Sequence, residues 1–248
     1  MGNSMQNLMP GGELASRPLH FFWVVDCSGS MYGEKIGAVN HAIQSTIPDM
    51  LDAAKENPNA QLLIRTLKFS TGASWITSNP VDIEDFTWED LDADGMTDMG
   101  KAFDMLAAQL TMPPMTDRGL PPVIVLLSDG QPNDDYKKSL DKLLSLPWGK
   151  KAVRVAISIG KDADDDVLTA FTGNRELVLQ ANNSQALVKM IKWVSTIPAT
   201  VSAPASQPNK DASSALAGNT EPDATNAPLV LDMNNIPDPK DVGVGDVW

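Results

Sequence analysis

Apolar residues along the chain alternate between two patterns. Phe21–Val25, Val123–Leu127 and Val153–Ile159 are short, largely apolar runs, typical of parallel strands that are buried on both faces. Between the runs, apolar residues recur every three or four positions, most clearly over Glu34–Lys55, which predicts amphipathic helices. This alternation favours an α/β fold with a doubly wound, mostly parallel, Rossmann-like sheet that is flanked by helices.

Weaker patterns fill the remaining segments. Gln61–Phe69 and Ala73–Thr77 flank Ser70-Thr71-Gly72, which predicts a hairpin and therefore one antiparallel edge strand. The other predicted elements are helices over Thr97–Leu110, Asp134–Leu146, Asp164–Phe171 and Ser184–Ser195, and a strand over Glu176–Gln180.

Composition changes near Pro198 and divides the chain. We expect an N-terminal extension over 1–17 and one domain over 18–197. Residues 198–228 are mostly small and polar, which predicts a flexible linker because they bury too little apolar surface to offset the entropy of ordering. Residues 229–248 regain apolar side chains, which predicts a docking segment for a partner or for the chain's own site.

Charge and residue usage exclude several classes of protein. The net charge is −13, so nucleic acid and anionic membranes are poor candidates for a partner. A single cysteine, Cys27, excludes an internal disulfide framework and a cysteine-based zinc site. The longest apolar runs have strand length, and residues 1–18 hold no apolar signal segment, so we expect a cytoplasmic protein with no membrane contact.

Polar residues follow the predicted buried strands where a parallel sheet exposes its ligand crevice. Asp26, Ser28 and Ser30 come after the first strand, Asp129 comes after the second, and Thr97 lies in the segment 94–98 where a predicted helix starts. All five offer oxygen atoms, a set that suits Mg²⁺, with Mn²⁺ or Ca²⁺ possible, and that argues against zinc or copper. Two carboxylates balance a divalent cation, and an open position would accept an Asp or Glu from a partner protein.

These residues resemble a known family. Asp26-x-Ser28-x-Ser30, Thr97 and Asp129-Gly130 are similar to the metal-ion-dependent adhesion site of von Willebrand factor A domains. The resemblance implies that Ser28, Ser30 and Thr97 contact the metal and that Asp26 and Asp129 act largely through water. Relatives often carry Gly-Gly-Thr where this chain has Gly95-Met96-Thr97, so we expect an altered rim around a retained metal site.

The finer sequence resembles the TerY-like bacterial branch, which is associated with tellurite resistance and stress. This resemblance rests on the segments 26–31, 127–132 and 192–195. It implies a serine/threonine phosphatase and a kinase as partners, because such proteins are often encoded together.

Four features have a plainer structural interpretation as well as a functional one. Ser30 and Asp129 are good helix N-cap residues. Cys27 is a redox sensor or simply a buried thiol. Asp162–Asp166 binds calcium or begins a helix. An acidic segment without basic residues between Lys68 and Lys101 is a solvated loop or a rim that selects basic partners. Its members are Asp82, Glu84, Asp85, Glu89, Asp90, Asp92, Asp94 and Asp98.

Two functions fit these residues. The first is a non-catalytic, Mg²⁺-dependent protein-interaction module, an adaptor in a bacterial stress or phospho-signalling system. The alternative is a Mg²⁺-dependent hydrolase or phosphatase that uses the same carboxylates. An enzyme would need a positioned base and a cationic side chain. The three loops that carry the candidate ligands, over 26–30, 94–98 and 128–130 and called the metal loops below, contain no Lys, Arg or His. The first function is therefore preferred, and no enzymatic activity is expected. A third hypothesis, a cell-surface adhesin, is disfavoured because the sequence shows no signal segment and cannot form an internal disulfide.

Overall fold

The structure, a computed structural model, describes residues 16–129, 131–161, 163–202 and 236. Most of the predicted N-terminal extension, linker and docking segment lies outside these residues, as do Gly130 and Asp162. The strands are β1 Arg17–Asp26, β2 Ala60–Ser70, β3 Gly72–Trp75, β4 Val81–Asp82, β5 Val123–Ser128, β6 Val153–Ile159 and β7 Val178–Ala181. The helices are α1 Glu34–Lys55, α2 Met99–Gln109, α3 Tyr136–Ser145, α4 Pro147–Lys151, α5 Asp165–Thr172, α6 Ser184–Ser195 and α7 Ile197–Ser202.

The seven strands of the described residues form one sheet, in which six lie in the order β3-β2-β1-β5-β6-β7 and β4 pairs with β2 beside this path. Strand β1 lies parallel to β2 and β5, and β6 and β7 continue the parallel part. Strand β3 pairs antiparallel with β2 at the predicted hairpin, and the short β4 pairs antiparallel with β2 as well. The predicted mostly parallel, doubly wound α/β fold is confirmed. Strand β4 was not predicted, because two residues are too few to give a strand pattern in the sequence.

Strand β1 shows how the sheet separates two apolar layers. Phe21, Trp23 and Val25 are fully buried in the layer that contains α1 and α6. Phe22 and Val24 point to the opposite layer, which contains α2, α3 and α5. A strand buried on both faces reads as a continuous apolar run, which explains the pattern in the sequence.

Element bounds agree best where the periodicity is strongest. Helices α1 and α6 and strand β6 have the predicted bounds. The predicted strand over Glu176–Gln180 is wrong in its first half, because Arg175–Leu177 forms a 3-10 helix before β7. Asn174 begins that turn by accepting a hydrogen bond from the amide of Glu176 at 3.0 Å. Helix α7 extends into the first residues of the predicted linker.

A buried asparagine fixes the acidic segment to the domain. Asn40 of α1 donates to the carbonyl of Leu91 at 2.9 Å and accepts from the amide of Leu91 at 2.9 Å. The indole of Trp88 donates to the same asparagine oxygen at 3.2 Å. The segment that leads to Thr97 is therefore held against α1 although most of it has no regular secondary structure.

Two observations concern the predicted docking segment and membrane contact. Ile236 is partly buried and packs against the apolar layer that contains α1 and α6. None of the helices among the described residues is long and apolar enough to cross a bilayer.

Candidate metal centre

The first metal loop begins at the carboxyl end of the central strand. Asp26 ends β1 and is fully buried, and its Oδ1 accepts a hydrogen bond from the amide of Ser28 at 2.9 Å. A 3-10 turn over Gly29–Met31 then brings the hydroxyl of Ser30 to 3.0 Å from that of Ser28. The turn therefore places two hydroxyl groups beside one carboxylate.

The second loop carries Thr97, which is 5% exposed. Its amide donates to Oδ1 of Asn133 at 2.8 Å, and its carbonyl accepts from the amide of Asn133 at 2.9 Å. Helix α2 begins only after Thr97, at Met99, so the predicted helix started two residues too early. Thr97 lies in a loop that Asn133 holds in place.

A backbone hydrogen bond joins the first two loops. The amide of Gly29 donates to the carbonyl of Gly95 at 2.9 Å. Gly95 has a φ of 84°, and a Cβ at this position would lie 2.5 Å from Oγ1 of Thr71. Only glycine fits this turn without displacing the threonine.

Asp129 follows β5 and is 3% exposed. Its Oδ1 is buried and has no hydrogen-bond partner among the described residues. Its Oδ2 lies 4.0 Å from Nζ of Lys35, at the start of α1. Leaving a buried carboxylate oxygen unpartnered is costly, so this atom fits a site that a cation or its bound water would complete.

The negative charge of Asp26 is disfavoured by its surroundings. Burial, with a smaller contribution from the nearby carboxylate of Asp129, raises the pKa of its carboxyl to about 6. Hydrogen bonds from Ser128 and Ser28 act in the opposite direction. The hydroxyl of Ser128 donates to Oδ2 of Asp26 at 2.5 Å. Two buried carboxylates that repel each other favour binding of a positive ion.

These loops open into a cleft of about 610 Å³. Its lining residues are Ser28, Gly29, Ser30, Gly95, Thr97, Gln131, Pro132, Asn133, Tyr136, Lys137, Asp164 and Val167. The three predicted hydroxyl ligands therefore share one open space. Asp26 adjoins it through Ser28, and Asp129 adjoins it through its carbonyl, which accepts from the amide of Asp164 at 2.7 Å.

The structure thus brings all five predicted residues to one edge of the sheet, as expected from the strand ends. Their role as metal ligands stays a prediction. The described residues contain no group of three or more His, Cys, Asp or Glu suited to a metal, so hydroxyls would have to supply part of the coordination.

Helix capping does not account for these residues. Ser30 lies inside the 3-10 turn, and Ser28 at its N-cap position makes no side-chain capping bond. Asp129 is separated from α3, whose N-cap residue is Asp135. The capping interpretation therefore fails for both residues that suggested it.

Sequence reasoning missed four residues around the site. Ser128 and Asn133 form hydrogen bonds with two of the predicted metal ligands, Asp26 and Thr97. Hydroxyl and amide side chains are too common in loops for these two to be recognised from the sequence. Lys137 lines the cleft, and Lys35 approaches Asp129 from the first turn of α1. The metal loops contain no basic residue, but two lysines from neighbouring helices lie beside the site.

For Cys27 and the aspartates at the start of α5, the structure supports the structural interpretation. Cys27 is 1% exposed, and burial raises the pKa of its thiol to about 12, so it remains an unreactive thiol. Asp164 caps α5 by accepting from the amides of Asp166 and Val167. Asp165 accepts from Ser158 at 2.8 Å and Gln180 at 2.6 Å. These aspartates begin a helix and join it to the sheet.

Comparison with known families identifies the fold. The profile of the von Willebrand factor type A domain matches residues 22–193, which is more than half of the chain. The chain belongs to the von Willebrand factor type A domain family. No curated protein matches it. The matched range contains all five candidate ligands of this von Willebrand factor type A domain.

Several solved structures share the fold at low sequence identity. The pilus adhesin SpaC from Lactobacillus rhamnosus GG is 15% identical, with a TM-score of 0.60 over 80% of this chain and 31% of that protein. Proximal thread matrix protein 1 from the mussel byssus, with a zinc-occupied MIDAS motif, is 15% identical, with a TM-score of 0.56 over 74% of this chain and 48% of that protein. A von Willebrand factor type A protein from Catenulispora acidiphila is 13% identical, with a TM-score of 0.54 over 74% and 43%. The chain therefore spans 31–48% of the length of these proteins.

Proposed function

We propose that this protein is a non-catalytic, metal-dependent protein-interaction module. Ser28, Ser30 and Thr97 would contact a divalent cation, and Asp26 and Asp129 would hold it largely through water. The bound cation supplies a positive centre with an open position for an Asp or Glu of a partner protein.

The unpartnered Oδ1 of Asp129 is the observation that carries this proposal. It is buried beside a second buried carboxylate, Asp26, and both adjoin a cleft that is lined by hydroxyl groups. Oxygen ligands favour Mg²⁺, with Mn²⁺ and Ca²⁺ as alternatives. Zinc belongs in the test because it occupies the MIDAS motif of the mussel byssus protein.

The cellular setting is proposed on the resemblance to the TerY-like branch alone. It points to an adaptor in a bacterial stress or tellurite-resistance system in the cytoplasm, with a phosphatase and a kinase as candidate partners. The relevant test is whether either protein binds this chain in the presence of Mg²⁺ and is released by EDTA.

Calorimetry on the full chain tests the metal site. We expect Mg²⁺ to give a binding isotherm with wild type and none with Asp129→Asn, which keeps the side-chain shape but removes the charge. Asp104→Asn is the matched control, since Asp104 pairs with Lys142 on the outer surface between α2 and α3. Equal heats from wild type and Asp129→Asn would refute the site, and parallel titrations with Mn²⁺, Ca²⁺ and Zn²⁺ would identify the preferred metal.

A hydrolase remains the second candidate, and the lysines near the cleft are the observation that favours it. Lys35 and Lys137 supply the cationic groups that the metal loops lack. The one carboxylate among the described residues that line the cleft, Asp164, already caps α5, so we expect no Mg²⁺-dependent turnover of p-nitrophenyl phosphate. Turnover by wild type that is lost in Asp129→Asn would refute the non-catalytic function and support the hydrolase.

A further inference from the structure

Large apolar side chains are rarely exposed on the described part of this domain. The three that are strongly exposed are Tyr32 at 79%, Met96 at 53% and Met112 at 52%. A single exposed apolar residue needs no explanation, but Tyr32 and Met96 come from the two loops that carry the candidate hydroxyl ligands. Met112 lies between α2 and β5, at the amino ends of the parallel strands and away from the cleft.

Tyr32 and Met96 are held beside the same backbone contact. The amide of Tyr32 donates to the carbonyl of Gly29 at 3.2 Å, and Gly29 in turn donates to Gly95, the neighbour of Met96. The amide of Met96 donates to Oγ1 of Thr71 at 3.0 Å. Both exposed side chains therefore project from backbone that is already fixed, so binding a partner there orders little of the chain.

The surface next to Met96 is acidic. Glu89, Asp90, Asp92 and Asp94 are exposed, and none of them forms an ion pair with another described residue. Asp98 differs, because it pairs with Lys101 at 2.5 Å. The rim beside the metal loops thus offers negative charge to a partner, next to two apolar side chains.

We propose that Tyr32 and Met96 form an apolar clamp that selects the partner of the metal site. The partner is a protein segment in which an Asp or Glu lies next to a large apolar residue, with a basic residue beyond it. The carboxylate would bind the metal, the apolar side chain would bury Tyr32 and Met96, and the basic residue would face the acidic rim. This inference rests on the proposed function of the metal site.

Labelled synthetic peptides of fixed sequence test the proposal on the full chain with Mg²⁺. Each peptide has a central Asp, flanked by Leu or by Ser, with Lys or Glu at the outer positions. A peptide with central Asn is the control for the carboxylate. Fluorescence anisotropy would measure the dissociation constants for wild type, for Tyr32→Ser/Met96→Ser and for the control Met112→Ser. All three substituted side chains are exposed, so the variants are expected to fold.

We expect wild type and Met112→Ser to bind the Leu-flanked peptide about tenfold more tightly than the Ser-flanked one. The double variant should lose this preference and keep Mg²⁺-dependent binding of the central Asp. The preference for Lys over Glu should weaken with added salt, because exposed charges are screened, whereas the preference for Leu should not.

Each contrary result has a distinct meaning. Mg²⁺-dependent binding with equal affinity for Leu and Ser peptides would overturn the clamp and leave the metal site intact. A preference for Leu that persists in the double variant would also overturn it, as would loss of that preference in Met112→Ser. Absence of Mg²⁺-dependent binding to every Asp peptide would refute the proposed carboxylate recognition, and the clamp with it.

Discussion

Asp26 combines deep burial with a charge, and its protonation links the site to the stability of the domain. Burial raises its pKa from the ordinary 3.8 to about 6, so the folded chain binds a proton more readily than the unfolded chain does. The contribution of this group to stability is therefore complete below pH 3.8 and is lost as the pH rises through 6.

We expect Asp26→Asn to stabilise the metal-free protein at pH 7 by up to about 3 kcal/mol and to abolish Mg²⁺ binding. The asparagine can accept from the amide of Ser28 and donate to the hydroxyl of Ser128 without a buried charge. Urea unfolding of both proteins in EDTA at pH 4 and pH 7 is the measurement. A stability difference that does not grow with pH would contradict the assignment of this carboxyl as the strained group.

Lys35 is a second residue whose charge should act on the site. Its ammonium lies 4.0 Å from Asp129, and Gly160 leaves the room for it, since a Cβ there would lie 3.1 Å from Nζ. A positive charge so close to the cleft opposes a divalent cation. We expect Lys35→Met to tighten Mg²⁺ binding about two- to fivefold at low salt, with a smaller gain at high salt.

Calorimetry at two salt concentrations would measure this effect. Lys55→Met is the control, because Lys55 pairs with Asp52 on the exposed end of α1. Weaker Mg²⁺ binding in Lys35→Met would mean that the lysine orients Asp129 rather than competing with the metal.

At the scale of elements, Asn40 joins α1 to the segment before Thr97. Asn40→Ala would leave the amide and carbonyl of Leu91 without partners, so we expect a loss of about 2–4 kcal/mol in the free energy of unfolding. Ser45→Ala is the control, because its hydroxyl donates to the carbonyl of Ala42 within the same helix. Urea unfolding and faster hydrogen exchange at the Leu91 amide would register the change, whereas an unchanged exchange rate would rule out this role.

Elements with strong local patterns were predictable from the sequence. The start of α6 follows from Asn183, whose side chain accepts from the amide of Ala186 at 2.8 Å, and its body follows from apolar spacing. The start of α2 was not predictable in the same way. Its first amides, those of Gly100 and Lys101, donate to the side chain of Asp134 from a distant loop.

The site shows the same division between local and distant information. Strand ends alone predicted that Asp26 and Asp129 share one edge of the sheet. The bond from Ser128 to Asp26 requires β1 and β5 to lie side by side, and the approach of Lys35 depends on where the turn after β1 directs α1. Pairing and turn geometry of this kind leave no periodic signal in the sequence.

At the scale of the molecule, the predicted docking segment has one described contact with the domain. Ile236 packs against the apolar layer of α1 and α6. We expect Ile236→Ser to lower the free energy of unfolding by about 1 kcal/mol, which corresponds to a Tm shift of about 2–4 °C. Thermal unfolding would measure it, with the exposed Met112→Ser as control. Identical melting of wild type and Ile236→Ser would show that this contact contributes nothing to stability.

The lengths of the outer strands affect how copies of the protein can associate. One edge of the described sheet is covered by β3 and β4, with four and two residues, and the other ends in β7, with four. Long, flat edge strands recruit further strands and seed aggregation, whereas short edges offer few unpaired amides and carbonyls. The long strands β1 and β2 are thus not the open edges of the described sheet, and an arrangement of this kind disfavours edge-to-edge association of copies.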